Sequence, residues 1–175
     1  MSYLVRKAIR DDVQRLEKLL FHYMRETYQS TWGGSVELLE RHITENEVEI
    51  LLAETKVGET VAFVAWTSSY DLHWCMKGSA ILDLFVSSHH RGRGVAVMLA
   101  TDLAKQIQEC GGTYLKGGAT ESPSVHRFYQ RIAMRLSGDD YYVSGRAFRH
   151  LASLSGKSLR EIVKNLPETA WNSEP

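Results

Sequence analysis

The stretch Ala80–Val86 (AILDLFV) is apolar at every position except Asp83, and His90–Ala100 (HRGRGVAVMLA) follows shortly after it. A run of that kind reads as a central strand buried on both faces, with Asp83 as the exception. Beyond it Val95, Leu99, Leu103 and Ile107 recur at helical spacing, so a helix is predicted to about Cys110, where Gly111–Gly112 stops it. Between strand and helix stand Gly92 and Gly94, residues that adopt backbone conformations closed to others. Strand, glycine turn and helix in direct succession are a building block of α/β folds.

The rest of the chain fits around this unit. Tyr3–Ile9 predicts a short first strand, and Asp11 with Gln14 predicts a capping box for a helix carrying Val13, Leu16, Leu19, Leu20 and Tyr23. Gln29–Gly34 breaks that helix, and Ser35–Asn46 predicts a second one with Leu39 and Ile43 on one face. Val48–Glu54 and Thr60–Ser68 read as strands, Tyr70–Lys77 as an aromatic-rich loop, and Ser79–Ser87 as the central strand. Thr113–Lys116 is a further strand; Ser122–Pro123 opens a helix with Val125, Phe128, Tyr129 and Ile132; Tyr141–Phe148 is a last strand. Ser158 and Glu161 form a capping box before Leu159, Ile162, Val163 and Leu166, and Pro167 ends that helix. The element order argues for one α/β sandwich with a mixed sheet.

Composition narrows the function classes. A chain of 175 residues suits one domain with a full core. Lys+Arg and Asp+Glu both number 21, so the global basic field of a nucleic-acid binder is absent. No apolar run approaches the roughly 20 residues of a membrane span, and Met1–Asp12 lacks a secretory apolar core. Cys75 and Cys110 read as two reduced thiols, which suits the cytoplasm. The seven histidines show no ligand spacing, and no metal is expected.

A glycine turn at the start of a helix makes an anion site. The first N–H groups of a helix lack partners within it, and the helix dipole adds partial positive charge. Arg91 and Arg93 add more. A P-loop needs Lys and then Ser or Thr after its last glycine, where Val95–Ala96 stand here. A dinucleotide loop needs a small residue where Val97 stands, and no acidic residue lies at the expected distance beyond it. A tight turn without a ligand is the third reading.

Over a longer span, Arg91-x-x-Gly94-x-Ala96 after Leu84–Phe85–Val86 resembles motif A of the Gcn5-related N-acetyltransferases (the GNAT superfamily), Gln/Arg-x-x-Gly-x-Gly/Ala. Ser124–Gln130 (SVHRFYQ) resembles motif B, a helix with Phe-Tyr or Leu-Tyr near its middle. The separation of one helix and one strand also fits, and the resemblance spans residues 3–150. It implies a GNAT fold, a mixed central sheet flanked by helices, here with an extra C-terminal helix. Residues 1–154 would be the acetyltransferase domain and 155–175 a helical extension and tail.

The resemblance implies transfer of an acetyl group from acetyl-CoA to an amine by direct attack in a ternary complex. The amine must be neutral to attack, and the carbonyl oxygen must be polarised as charge builds. Carried over by position, Arg91, Gly92, Arg93, Gly94, Val95 and Ala96 would hold pyrophosphate, chiefly through backbone N–H groups. Leu84, Phe85 and Val86 would lie on a splayed strand that pairs with pantetheine, the Val86 N–H polarising the acetyl carbonyl. Tyr129 matches the tyrosine that protonates the departing thiolate, and Ser122 stands where many members carry a cofactor-contacting asparagine. Ser88 replaces a common proline, and Leu82 a glutamate that in some members draws the amine proton through water. Strand alternation points the adjacent Asp83 to the other face. The general base is therefore open among Asp83, His73, His89, His90 and Glu121, or a chain of ordered water.

The family's acceptor lies opposite the cofactor, bounded by the first two helices. Here that wall would include Tyr28, Trp32, Gly33 and Gly34, with Tyr70–Trp74 contributing. Aromatic rings there can flank an alkylammonium, or simply pack. A small primary amine is the expected acceptor. A peptide acceptor, or an acyl-CoA-binding sensor without catalysis, are the alternatives. The Leu159–Leu166 stripe must be buried on its own sheet or on a second subunit, and a homodimer is expected.

Overall fold

Strands and helices are interspersed in the computed structural model, which describes residues 3–118, 123–135 and 140–166. In chain order they are β1 (Tyr3–Lys7), α1 (Val13–Tyr28), α2 (Val36–Thr44), β2 (Glu49–Thr55), β3 (Thr60–Asp71), β4 (Met76–Val86), α3 (Val95–Glu109), β5 (Tyr114–Gly118), α4 (Pro123–Ile132), β6 (Met134–Arg135), β7 (Asp140–Ser144), α5 (Gly145–Ser153) and α6 (Leu159–Asn165). They belong to two units, residues 3–66 with 83–99 and residues 67–82 with 100–166. β3, β4 and α3 each run from one unit into the other.

In the first unit the sheet order is β1-β2-β3-β4, with β1–β2 and β2–β3 antiparallel. Ser87 N–H donates to the Val61 carbonyl at 2.9 Å where β4 ends. Leu16, Leu19 and Tyr23 recur at helical spacing on α1 and meet alternate residues of the strands: Ile50 and Leu52, Phe63 and Ala65, and Phe85. Truncating a fully buried residue such as Leu16 to alanine would cost about 3 kcal/mol.

The start of α1 differs from the expectation. Asp11 is not its cap; a 3-10 turn, Arg10–Asp12, precedes the helix and puts Asp12 at the cap position. Asp12 makes no side-chain bond to the helix, because it is drawn to a stronger donor. Its carboxylate accepts from Arg6 Nη1 at 2.6 Å and Nη2 at 2.7 Å, and from the Ile9 N–H at 2.9 Å. Arg6 also donates through Nε at 3.0 Å and Nη2 at 2.7 Å to Glu54 on β2. Both carboxylates are buried, so one guanidinium ties β1 to β2 and to the entry of α1.

In the second unit the order is β4-β5-β7-β6. β4 and β5 run parallel, while β7 is antiparallel to both β5 and β6, which makes the sheet mixed. The predicted loop Tyr70–Lys77 shrinks to a turn at residues 72–75. Asp71 Oδ1 accepts from the His73 and Trp74 N–H groups at 2.9 and 3.3 Å, and Cys75 takes a left-handed φ of 51°. The parallel ladder pairs Gly78–Ala80 with Tyr114–Lys116 and stops there, although β5 runs on to Gly118 against β7. The expected burial of β4 on both faces fails at the same place: Leu82 is 53% exposed.

The predicted last strand is also shorter than expected. β7 ends at Ser144, Gly145 adopts φ 53°, and Phe148 lies in α5. Ala147, Phe148, Leu151 and Ala152 form the buried face of that helix, which packs on β5, β7 and α4. β6 had no counterpart among the predicted elements. The Ser158–Glu161 capping box opens α6 as expected. Ile162 and Leu166 are buried within the chain, and Arg131 Nη2 donates to the Val163 and Leu166 carbonyls at 3.2 and 3.3 Å. Of the apolar stripe, Ile162 and Leu166 are thus covered in cis, while Val163 is 42% exposed. Pro167 and the Ser122 cap lie outside the described residues. Among the described residues no helix is long and apolar enough to cross a membrane.

Arg6, chiefly by hydrogen bonding, holds the Asp12 carboxyl below the usual carboxylate range. The pair therefore stabilises the fold above the unfolded value of about 4, and the stabilisation is lost as pH falls through the lower folded value. Asp12→Asn is expected to cost roughly 2 kcal/mol at pH 7. The gap to wild type should narrow in urea titrations below about pH 3; a gap independent of pH would refute the ion-pair account.

Candidate active site

The turn between β4 and α3 is built by backbone shape. After Val86 a 3-10 turn, Ser88–His90, hands the chain to Arg91 at φ −68° and ψ 156°. Gly92 and Gly94 then take φ 70° and φ 80°, the left-handed region that glycine enters without strain. No heavy atom lies within 4 Å of where a Cβ on Gly92 would stand, so the space beside it is open. α3 begins at Val95, which is buried, and its first-turn amides at Val95, Ala96 and Val97 have no carbonyl of their own helix to meet. Its dipole leaves partial positive charge at the same end.

Arg91 fixes this turn to the strand. Its Nε donates to the Val86 carbonyl at 2.8 Å, its Nη2 pairs with Glu26 on α1, and its guanidinium lies 5.5 Å from the Phe85 ring centre. The side chain is thus a clamp, and what the turn offers an anion comes first from backbone N–H groups and the exposed Arg93. Phe85 and Val86 are buried and Leu84 is half-buried.

Asp83 lies on β4 beside them. It accepts from the Tyr23 hydroxyl, and the Tyr23 oxygen lies 3.2 Å from the Tyr28 hydroxyl. Burial pushes the Asp83 carboxyl up, with the Tyr23 bond opposing. Burial, then the bond to Asp83, raises the Tyr23 phenol. Tyr28 is 58% exposed at the end of α1. Trp32 is half-buried, edge-on to Phe21 at 5.9 Å, and folded over Gly34 so closely that a Cβ there would fall 2.4 Å from its Cζ2. Gly33 has open space around it. The first unit therefore brings together Tyr28, Asp83, Leu84, Phe85 and Val86. Its other site residues are Trp32, Gly33 and the Arg91–Ala96 turn.

The second unit holds Tyr129. Its ring stacks on Tyr141 at 4.7 Å, and burial pushes its phenol up to about 12. A Cβ on Gly117 would lie 3.5 Å from the Tyr129 hydroxyl and 3.2 Å from Ile81 Cβ, so the phenol stands where β5 has run past the end of its ladder. Ser122 and Glu121 lie outside the described residues. His73 is exposed at the β3–β4 turn, His89 is exposed, and His90 Nδ1 lies 3.1 Å from the Tyr3 hydroxyl. Among the described residues no group of three or more His, Cys, Asp or Glu side chains could hold a metal ion.

Sequence reasoning gave Tyr23 only a place on the apolar face of α1 and missed Glu26. The available signal was chemical: a tyrosine where leucine would pack must find a partner for its hydroxyl.

The profile of the acetyltransferase (GNAT) family matches residues 13–134. No curated protein sequence matches the chain. Among solved structures, a ribosomal-protein-alanine N-acetyltransferase from Brucella melitensis biovar Abortus 2308 superposes with a TM-score of 0.65 at 21% identity, covering 78% of this chain and 94% of that one. An aminoglycoside acetyltransferase from an uncultured soil metagenomic sample, in complex with sisomicin, gives 0.64 at 15% identity, covering 78% and 92%. PaiA N-acetyltransferase from Thermoplasma acidophilum, in complex with coenzyme A, gives 0.63 at 16% identity, covering 83% and 100%. At these identities the likeness is one of fold.

The conformational demand on the turn can be measured directly. Gly92→Ala has room for its methyl group, so its cost is that of a left-handed alanine, about 1 kcal/mol. Gly92→Asn should cost less, because asparagine visits that region more readily. Urea midpoints that fall equally for both variants would show that φ at Gly92 is not the constraint.

Proposed function

The chain belongs to the acetyltransferase (GNAT) family, and on that premise we propose that it transfers an acetyl group from acetyl-CoA to a small primary amine. The observation that carries this reading is the turn at Gly92 and Gly94 at the head of α3. Its residues suit the co-substrate: open space stands in place of a side chain, and amides and dipole favour an anion. β4 adds main chain at Ile81 and Leu82 beyond its ladder with β5, which suits an extended amide-bearing arm.

In this reading the backbone N–H groups of Gly92, Arg93, Gly94, Val95 and Ala96 hold the pyrophosphate. The main chain of Leu84, Phe85 and Val86 holds the pantetheine arm. Acetyl-CoA supplies the activated thioester. The Val86 N–H lowers the cost of charge on the carbonyl oxygen. Arg91 keeps Val86 and the turn in fixed relation through the Val86 carbonyl. Tyr129, as a phenol, carries its proton at neutral pH, burial pushing it further in that direction, and serves as hydrogen-bond donor to the leaving thiolate. Asp83 takes up the proton that the acceptor ammonium loses before it attacks. Tyr28 and Trp32 face the acceptor with aromatic surface, which suits an alkylammonium by about 1 kcal/mol per ring.

Calorimetric titration of acetyl-CoA tests the reading. Gly94→Glu would set a side chain and a negative charge in the phosphate path, and an affinity loss of at least about 100-fold, or about 3 kcal/mol, is expected with the circular dichroism unchanged. Tyr129→Phe should bind normally and lose roughly 10- to 100-fold in kcat on a panel of amines. A folded wild type that binds no acetyl-CoA would overturn the proposal, and turnover of peptides alone would overturn the acceptor class.

A further inference from the structure

The buried carboxylates of the first unit are treated unequally. Asp12 and Glu54 share the Arg6 guanidinium. Asp83 is half-buried, and among the described residues its hydrogen-bond partner is a phenol. A carboxylate taken from water without a cation costs free energy, so its place on β4 is not accounted for by stability.

The direction of the bonds around it is fixed by simple counting. An ionised carboxylate only accepts, so the single Tyr23 proton points to Asp83. The Tyr23 oxygen can then only accept from Tyr28, whose proton must point inward. Tyr28 therefore turns lone pairs outward, and it is 58% exposed while Tyr23 is 7% exposed. Each bond polarises the next, which makes the outer oxygen a better acceptor. A surface phenol whose proton is committed inward is fitted to receive an N–H donor.

We propose that Tyr28, Tyr23 and Asp83 relay the proton that the acceptor ammonium must lose, with the Tyr28 oxygen as the atom the ammonium touches. The proposal rests on the acetyltransferase reading. The ammonium N–H bond breaks as an O–H bond forms on Tyr28. The original Tyr28 proton passes to Tyr23 and the Tyr23 proton to Asp83. Both phenols end neutral, as they began. The amine gains its lone pair, and Asp83 holds one proton, which it returns to water after turnover. A positive and a negative charge become two neutral groups, a change that half-buried surroundings favour.

Among the described residues, aromatic rings pack around Tyr23. Phe63 on β3 and Phe85 on β4 pack on the Tyr23 ring and bring no charge. Arg91, over the Phe85 ring, is paired with Glu26. Tyr28 meets Tyr23 edge-on at 5.7 Å.

The test is the pH dependence of kcat/KM for an alkylamine in wild type, Tyr28→Phe, Tyr23→Phe and the double variant. Without the relay the enzyme depends on amine already neutral in solution. Tyr28→Phe should therefore lose about 100-fold at pH 7 and recover most of that as the pH nears about 10. Because the two phenols act in series, the double variant should be no slower than either single one. Tyr28 is exposed, so its variant keeps the relay testable even if Tyr23→Phe folds poorly. A deficit that is the same at every pH, or effects that simply multiply, would overturn the relay while leaving the acetyltransferase intact. A wild type that acetylates no amine at any pH would overturn both.

Discussion

The chain leaves β4 and enters α3 through a short turn, and at two positions of that turn the backbone requires positive φ. This requirement organises the first unit. Glycine meets it at Gly92 and Gly94, and beside Gly92 the space that a side chain would take is open. Arg91, between Val86 and Glu26, keeps the turn from swinging away from strand and helix. The same residues that permit the reversal leave amides and dipole uncovered, so what suits this turn to an anion is a by-product of how the chain turns. A bulkier turn would need other means to satisfy or expose those groups.

Two ways of burying acid appear in that unit. Around Arg6 the carboxylates are matched by a cation with good geometry, which ties three elements together. Around Asp83 two phenols supply hydrogen bonds without charge. The first arrangement holds its carboxyl ionised; the second eases it towards the neutral form. Stability accounts for the first. The second suits a group whose protonation changes during work.

What the sequence disclosed depended on the range of the cause. The turn at Gly92–Gly94, the α3 stripe and the Ser158–Glu161 box rest on neighbours a few positions apart, and they were legible. Asp12 escaped because its partner, Arg6, lies on a strand rather than in the helix it precedes. Phe148 was misread because Tyr141, Tyr142 and Val143 favour strand and the aromatic Phe148 was counted with them across Ser144–Ala147, whereas the left-handed Gly145 marks the change to helix. Of the candidate site, the residues expected from local motif include those of the β4–α3 turn, whose glycines take the left-handed φ that such a turn needs. The Tyr23–Asp83 bond joins residues 60 positions apart, and no local pattern announces it. The exposure of Leu82 was missed because a run of apolar residues cannot tell how far a neighbouring strand follows.

The early end of the β4–β5 ladder bears on solubility as well. Strands that bare their N–H and C=O groups invite other chains, and proteins commonly guard outer edges with charge or proline. Here the ladder between β4 and β5 ends at Ala80 and Lys116, while β5 stays paired to β7 through Gly118. Main chain that leaves its ladder inside a sheet, with a strand still paired on its far side, is less open to the edge of a second folded sheet than main chain at an outer edge.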